Sequence, residues 1–271
     1  MSAVVLVALA GMGAGGLGAI LGLGGGVFLV PFMITVLHLP FHQARGISLI
    51  TVVATSSAVA ATSHSRDLVN LRLGMLLQVA TAAGGLTGSL GSRFVSERTL
   101  TLLFALLMLA IAFVMLSRLN TRNVSAAANA DPGLLGGRLY DPELGRDVVY
   151  RLRRLPLALV ISFLGGNISS LLGIGGGVLM VPALNAWCGV PIRVAAATSA
   201  LMIGVTATSA LPLYWAHGEV TPHLAAGAVL GVLVGSSAGI LAVTRLKVRW
   251  LKLLAIAVLL AVAAVMLTRL R

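Results

Sequence analysis

Gly22-Leu23-Gly24-Gly25-Gly26-Val27, with Pro31 behind it, returns in the same chain as Gly173-Ile174-Gly175-Gly176-Gly177-Val178, with Pro182 behind it. Each residue is displaced by 151 positions, and the offset needs no gap far beyond the motif. Pro40 falls on Pro191, Ala44 on Ala195, Ser48 on Ser199, Thr55 on Thr206, Gly84 on Gly235, Arg98 on Arg249 and Arg118 on Arg269. A repeat this long is half of a duplicated fold rather than a solenoid unit, so the two glycine runs occupy equivalent places in two halves. The chain divides accordingly into residues 1–120, a polar connector at 121–151 and residues 152–271.

Composition names the solvent of both halves. With 58% hydrophobic and 10% charged residues over 271 positions, the apolar surface exceeds what one water-soluble core covers. The mean hydropathy of +1.04 points the same way. In a bilayer, backbone polar groups must be satisfied internally, which leaves helices or closed barrels. Barrels need short alternating segments, whereas this chain has long unbroken apolar blocks. The expected fold class is therefore an all-α polytopic membrane protein of two homologous halves with glycine-broken helices. Its location is a cell membrane crossed several times, the inner membrane if the source is bacterial.

The net charge of +12 does not indicate nucleic acid. The basic residues stand at the ends of apolar blocks and in the connector, not in a patch interleaved with aromatics. Their placement follows the positive-inside rule of membrane proteins instead. The single cysteine, Cys188, excludes an internal disulfide and any cysteine pair for metal or redox work. No metal cluster and no cofactor motif is expected.

Residues 3–21 form an uncharged apolar run with no Lys or Arg before it, so it reads as retained rather than as a signal peptide. Gly13-x-Gly15-x-x-Gly18 imitates a dinucleotide fingerprint, but the acid needed about 20 residues on is missing, the first being Asp67. Gly11, Gly15, Gly18 and Gly22 suit close helix packing instead. Each glycine costs a helix about 1 kcal/mol, so the run from Gly22 to Gly26 is a break, followed by a short apolar piece over 27–37. Further segments are expected at 46–63, 71–92 and 99–117, with partners at 195–215, 222–243 and 250–268 and a kink at Pro212. Gly227, Gly231, Gly235 and Gly239 make a helix-contact stripe.

The connector holds Tyr140-Asp-Pro-Glu-Leu-Gly-Arg146 leading to Tyr150-Arg-Leu-Arg-Arg-Leu-Pro156. By charge it reads as a solvated link. Together with the paired glycine runs, each followed by Pro, and with Pro40 and Pro191, it makes the whole chain resemble the sulfite exporter TauE/SafE family of membrane transporters. That resemblance implies secondary transport, by export, of a small anion such as sulfite or an organosulfur compound. It also implies about eight membrane segments in two halves of four.

The glycine runs support anion transport independently of the resemblance. Where a helix breaks inside a membrane, the following half-helix offers unpaired N–H groups and the positive end of its dipole, and glycine lets the backbone meet the ligand. The expected substrate site lies between Gly24, Gly25 and Gly26 and Gly175, Gly176 and Gly177. Hydroxyls at Ser48, Thr51, Thr55, Ser199 and Thr206 serve as donors. Asn167, whose counterpart is Gly16, would add an unsymmetrical contact. No carboxylate is expected at depth, because the acids fall in turns or in the connector, which argues against a buried proton relay. His64 and His217 are the candidate coupling groups, being able to titrate near neutral pH.

Two rival classes are a channel and an intramembrane enzyme. The enzyme lacks HExxH, a nucleophile with a buried acid and base, and a metal cluster. Broken helices at matching places in two repeats favour a transporter over a channel. The partners expected are a small anion and lipid, and a homo-oligomer is compatible with the sequence.

The basic residues also bear on topology. The connector face of the first half carries nine: Arg66, Arg72, Arg118, Arg122, Arg138, Arg146, Arg151, Arg153 and Arg154. Parallel halves would place eleven basic residues on that face against eight opposite, whereas inverted halves place fourteen against five. The positive-inside rule favours inverted repeats, a cytoplasmic connector and external termini. Inversion requires each glycine-broken region to enter and return on one side.

Overall fold

The computed structural model describes residues 3–61, 68–117, 131, 133–141, 146–243 and 248–268. Among them are ten α-helices: α1 (Ala3–Leu21), α2 (Gly26–Thr35), α3 (Phe41–Ala61), α4 (Leu71–Gly91) and α5 (Glu97–Ser117) in the first half, then α6 (Leu155–Leu172), α7 (Gly177–Ala186), α8 (Ile192–Ala216), α9 (Pro222–Val243) and α10 (Val248–Thr268). Seven of them, α1, α3, α4, α5, α6, α8 and α9, are long and apolar enough to cross a membrane, and α2 and α7 are too short. The chain is a polytopic all-α membrane protein.

Local chemistry sets the boundaries. Asn70 caps α4, its side chain accepting the Leu73 amide at 3.1 Å. Pro191 precedes α8, and Pro156 sits in the first turn of α6, where a missing N–H costs nothing. α8 runs through Pro212 without interruption. α3 begins at Phe41, earlier than its apolar stretch suggests, because the polar residues His42, Gln43 and Arg45 belong to its first turns.

The connector departs from a plain solvated link. It contains an antiparallel hairpin, β1 (Gly137–Asp141) and β2 (Arg146–Tyr150), in which Leu139 faces Val148 and Gly137 faces Tyr150. Leu139, Val148 and Tyr150 are buried in one cluster with Leu73, Leu77, Met180, Leu184 and Cys188. Asn70 fastens the hairpin to α4, its amide donating to Leu135 O at 2.9 Å and to Tyr150 Oη at 3.0 Å.

Glycine contacts give the relative sense of the helices. A Cβ at Gly227, Gly231, Gly235 or Gly239 would meet Val4, Ala8, Met12 or Gly16 in that order, so α1 and α9 run the same way. Gly84 on Phe163 and Gly88 on Asn167 align α4 with α6, and Gly74 on Thr198 and Gly85 on Thr206 align α4 with α8. Gly46 on Val220, and Val59 clustered with Ile240, align α3 with α9. Between α3 and α8 the order reverses, Arg45 meeting Glu219 and Ser56 meeting Leu201. Helices α1, α3 and α9 therefore run one way, and α4, α6 and α8 the other.

Each half's first helix packs on the other half's fourth, α1 on α9 and α6 on α4. Lipid supplies no hydrophobic drive for such pairs, so close backbone approach over glycine is what holds them. Gly227, Gly231, Gly235 and Gly239 make the α1–α9 contact with Gly11 and Gly15, whereas Gly18 packs on Gly24 and Gly22 on Ala196.

Candidate functional site

The two glycine runs meet at the crossing of α3 and α8. Val52 and Ile203, counterparts in the repeat, pack together there. A Cβ on Gly24 would lie 3.0 Å from Ile203 and 3.7 Å from Ile174 O, and one on Gly175 would lie 2.8 Å from Val52. Gly26 abuts Gly173 and Ile174, while Gly177 abuts Gly22 and Leu23. The runs thus pack against each other across the boundary between the halves.

Within each run the glycines serve different ends. Gly22, Gly24, Gly173 and Gly175 hold φ between +66° and +75°, which an L side chain rarely adopts. Gly26 and Gly177 have negative φ but no room, a Cβ on Gly26 falling 2.5 Å from Ser48 Oγ. Gly25 and Gly176 are different. Their φ angles are −67° and −60°, ordinary for any residue. A Cβ on Gly25 would find its nearest atoms at 3.6 Å, on Ala14 and Thr55, and one on Gly176 would find nothing within 4 Å. These two residues are the N-caps of α2 and α7, and neither cap has a side-chain hydrogen bond. The first-turn amides of a helix have no intrahelical acceptor, so both short helices begin with amides unpaired by their own backbone, beside open space at Gly176 and in ordinary van der Waals contact with Ala14 and Thr55 at Gly25.

Carbonyls at the adjoining end of α6 are covered. Ser48 Oγ donates to Gly173 O at 2.6 Å, Tyr214 Oη donates to Ser170 O at 2.8 Å, and Arg45 Nη1 reaches Leu171 O at 3.5 Å. The first two amides of the second glycine turn are bonded as well, Gly173 N–H to Ser170 O at 3.3 Å and Ile174 N–H to Ser169 O at 3.2 Å.

The hydroxyls divide into two kinds. Thr51 donates to Ser48 O at 2.7 Å, Thr55 to Thr51 O at 2.8 Å and Thr206 to Met202 O at 3.1 Å. Their protons are held by their own helices, the ordinary behaviour of hydroxyls in apolar surroundings, so in this conformation they offer lone pairs instead of donors. Ser199 is the counterpart of Ser48, yet its Oγ is buried without a hydrogen-bond partner. Asn167 lies apart from this group: it packs on Gly84 and Gly88 of α4 and donates to Thr87 Oγ1 at 3.0 Å. His64 lies outside the described residues. His217 caps the C-terminal end of α8, with its Nδ1 buried and unpartnered.

Sequence reasoning missed an ion pair. Arg45 Nε and Nη2 donate to Oε2 and Oε1 of Glu219, both at 2.8 Å. Arg45 is 3% and Glu219 9% exposed, so neither is the surface charge that its place near a segment end suggests. The guanidinium also stacks over the Tyr214 ring, 4.6 Å from its centroid. Arg45 packs on Gly173, one helical turn before Ser48. A carboxylate therefore does lie beside the site, and it is neutralised in place. The repeat held the signal: Arg45 stands opposite Ala196, and Glu219 opposite Leu68.

The model of the family described as "Sulfite exporter TauE/SafE" matches residues 7–266. The chain is 29% identical over 250 residues to "Probable membrane transporter protein YunE" of Bacillus subtilis (strain 168), covering 88% of each. It is 28% identical over 239 residues to a "Probable membrane transporter protein" of Xylella fastidiosa (strain 9a5c), covering 86% of this chain and 84% of the relative. No solved structure matches it.

Proposed function

Since the chain belongs to the sulfite exporter TauE/SafE family and is a multi-pass membrane transporter, we propose that it carries a small oxyanion, sulfite or an organosulfur relative, through a site between the two glycine turns. One observation carries this reading. Gly25 and Gly176 are glycine where neither φ nor packing demands it, and both head short helices with uncapped amides. A bare backbone at an open helix N-terminus suits direct approach of an anion. The carbonyls of Ser170, Leu171 and Gly173, where α6 runs into the second turn, are meanwhile met by Tyr214, Arg45 and Ser48, so they do not oppose an anion there. Ser199, whose buried hydroxyl has no partner, is the hydroxyl left free to add a donor.

The two halves form inverted repeats across the membrane in this proposal. Support comes from the register: each helix of the first half runs opposite to its own counterpart, α1 to α6, α3 to α8 and α4 to α9. By the sequence count, inverted halves carry fourteen basic residues on the connector face against five opposite, so in this reading the connector is cytoplasmic and both termini are external.

Flux into proteoliposomes tests the reading. Sulfite, sulfate and small carboxylates are offered with and without a pH gradient, and saturable uptake of a sulfur oxyanion is expected. Conductance without saturation would indicate a channel, and absence of flux for every anion would overturn the assignment.

A further inference from the structure

We propose that Arg45 is the cation that receives the substrate anion, and that Glu219 occupies it between turnovers, the two forming an exchangeable ion-pair gate at the end of the α3–α8 crossing away from the connector. This rests on the anion reading above. Arg45 comes from the first half and Glu219 from the second, so their bond closes the boundary between the halves at that end. The repeat-related positions carry no charge, Ala196 standing for Arg45 and Leu68 for Glu219, and Ala196 still packs on Gly22 as Arg45 packs on Gly173. The packing at this boundary therefore does not require the charges. A buried pair is also poor support for stability, since apolar residues of similar volume often replace one without loss. Ionisable groups within membrane segments more often mark a substrate path.

The position of the guanidinium fits that role. It lies beside Gly173 and one turn from Ser48, against the second glycine turn. Its fork holds two carboxylate oxygens at 2.8 Å each, a geometry that an oxyanion with two or three oxygens on one centre reproduces. In the exchange, two anion oxygens take the places of Oε1 and Oε2 on Nη2 and Nε. No covalent bond changes. Glu219 loses its link to α3, and the end of α8 becomes free to move from the start of α3. The neighbouring Tyr214 keeps the guanidinium plane in place during the exchange.

The test uses the full-length protein in proteoliposomes, with sulfite as probe and sulfate and acetate beside it. Glu219→Gln removes the competing charge and is expected to lower the KM for anion at least threefold. Arg45→Gln with Glu219→Gln keeps a neutral hydrogen-bonded pair and is expected to raise KM at least tenfold, with thermal unfolding in detergent close to that of the unaltered protein. A folded double variant with unchanged KM, or Glu219→Gln with unchanged KM, overturns the proposal. Should the double variant not fold, Glu219→Gln alone decides. If the unaltered protein carries no anion, the transport reading fails and takes this one with it. If it carries sulfite saturably and the variants do so equally, only the gate is refuted.

Discussion

Alanine at Gly25 and at Gly176 separates what the fold needs from what the ligand needs. Both backbones are in the right-handed helical region. The added methyl would sit 3.6 Å from its nearest neighbours at Gly25 and in open space at Gly176. Glycine to alanine at such compatible sites stabilises a chain by about 0.4–1 kcal/mol through the unfolded state, so the folded yield should hold or rise. For transport the expectation is opposite. A methyl over an open amide withdraws one hydrogen bond to a charged ligand, worth about 1.5–3 kcal/mol. That is roughly a 10- to 100-fold rise in KM for each substitution. Uptake of sulfite into proteoliposomes gives KM, and thermal unfolding in detergent gives the stability of the same preparations. A folded Gly25→Ala, Gly176→Ala double variant with unaltered KM would refute the reasoning, because the open space would then serve no ligand.

Other glycines should behave in reverse. Gly231→Val forces a side chain into the backbone of Ala8, so thermal stability should fall by about 1–3 kcal/mol, through overpacking of α1 on α9. Ser48→Ala removes a 2.6 Å bond and strands the Gly173 carbonyl, costing about 1–3 kcal/mol, whereas Ser199→Ala removes an unpartnered hydroxyl and should leave stability intact while raising KM. Unfolding midpoints and flux measured on the same two variants check this. Cys188 is buried and its thiol is pushed up to about 11 by burial, the nearby Arg154 only partly offsetting this, so at pH 8 only about one thiol in a thousand is ionised. Maleimide should leave the folded protein unlabelled, and cysteines introduced in the connector should label only from the cytoplasmic side; labelling from outside intact cells would reverse the topology.

The helices are legible because a bilayer allows few solutions. An apolar block of about 20 residues must satisfy its own backbone, and glycine stripes at four-residue spacing must meet another helix. The glycine breaks are legible for the same reason, since the repeat makes Gly22–Val27 and Gly173–Val178 the same object twice. What the residues hide is long-range and unsymmetrical. Arg45 and Glu219 stand 174 positions apart, and each resembles a surface charge near a segment end until the halves are folded together. The connector hairpin is masked by the polar residues around it, although Val148-Val149-Tyr150 carry the β-branched and aromatic character of strands. The hydroxyls of Thr51, Thr55 and Thr206 are predictable in place but not in role, because nothing in their spacing tells whether a proton goes to substrate or to the carbonyl a turn behind.

The duplication also says why one charged pair matters. Under the inverted-repeat reading, two halves of equal sequence, crossed at Val52 and Ile203, would open toward either side at equal free energy, since the repeat exchanges the two states. Any bias must come from positions where the repeat is broken, and Arg45 with Glu219 is such a break, closing the end away from the connector. Every 1.4 kcal/mol of difference between the two states shifts their ratio about tenfold. A bidentate buried pair is ample for that, because breaking one without a substitute partner costs about 3–5 kcal/mol. An anion that supplies the substitute removes most of the penalty, so under the gate proposal the far end opens chiefly when cargo is bound. Loss of that dependence in Glu219→Gln would add a non-saturable leak to the saturable, lower-KM uptake, a signature that a purely structural pair does not give.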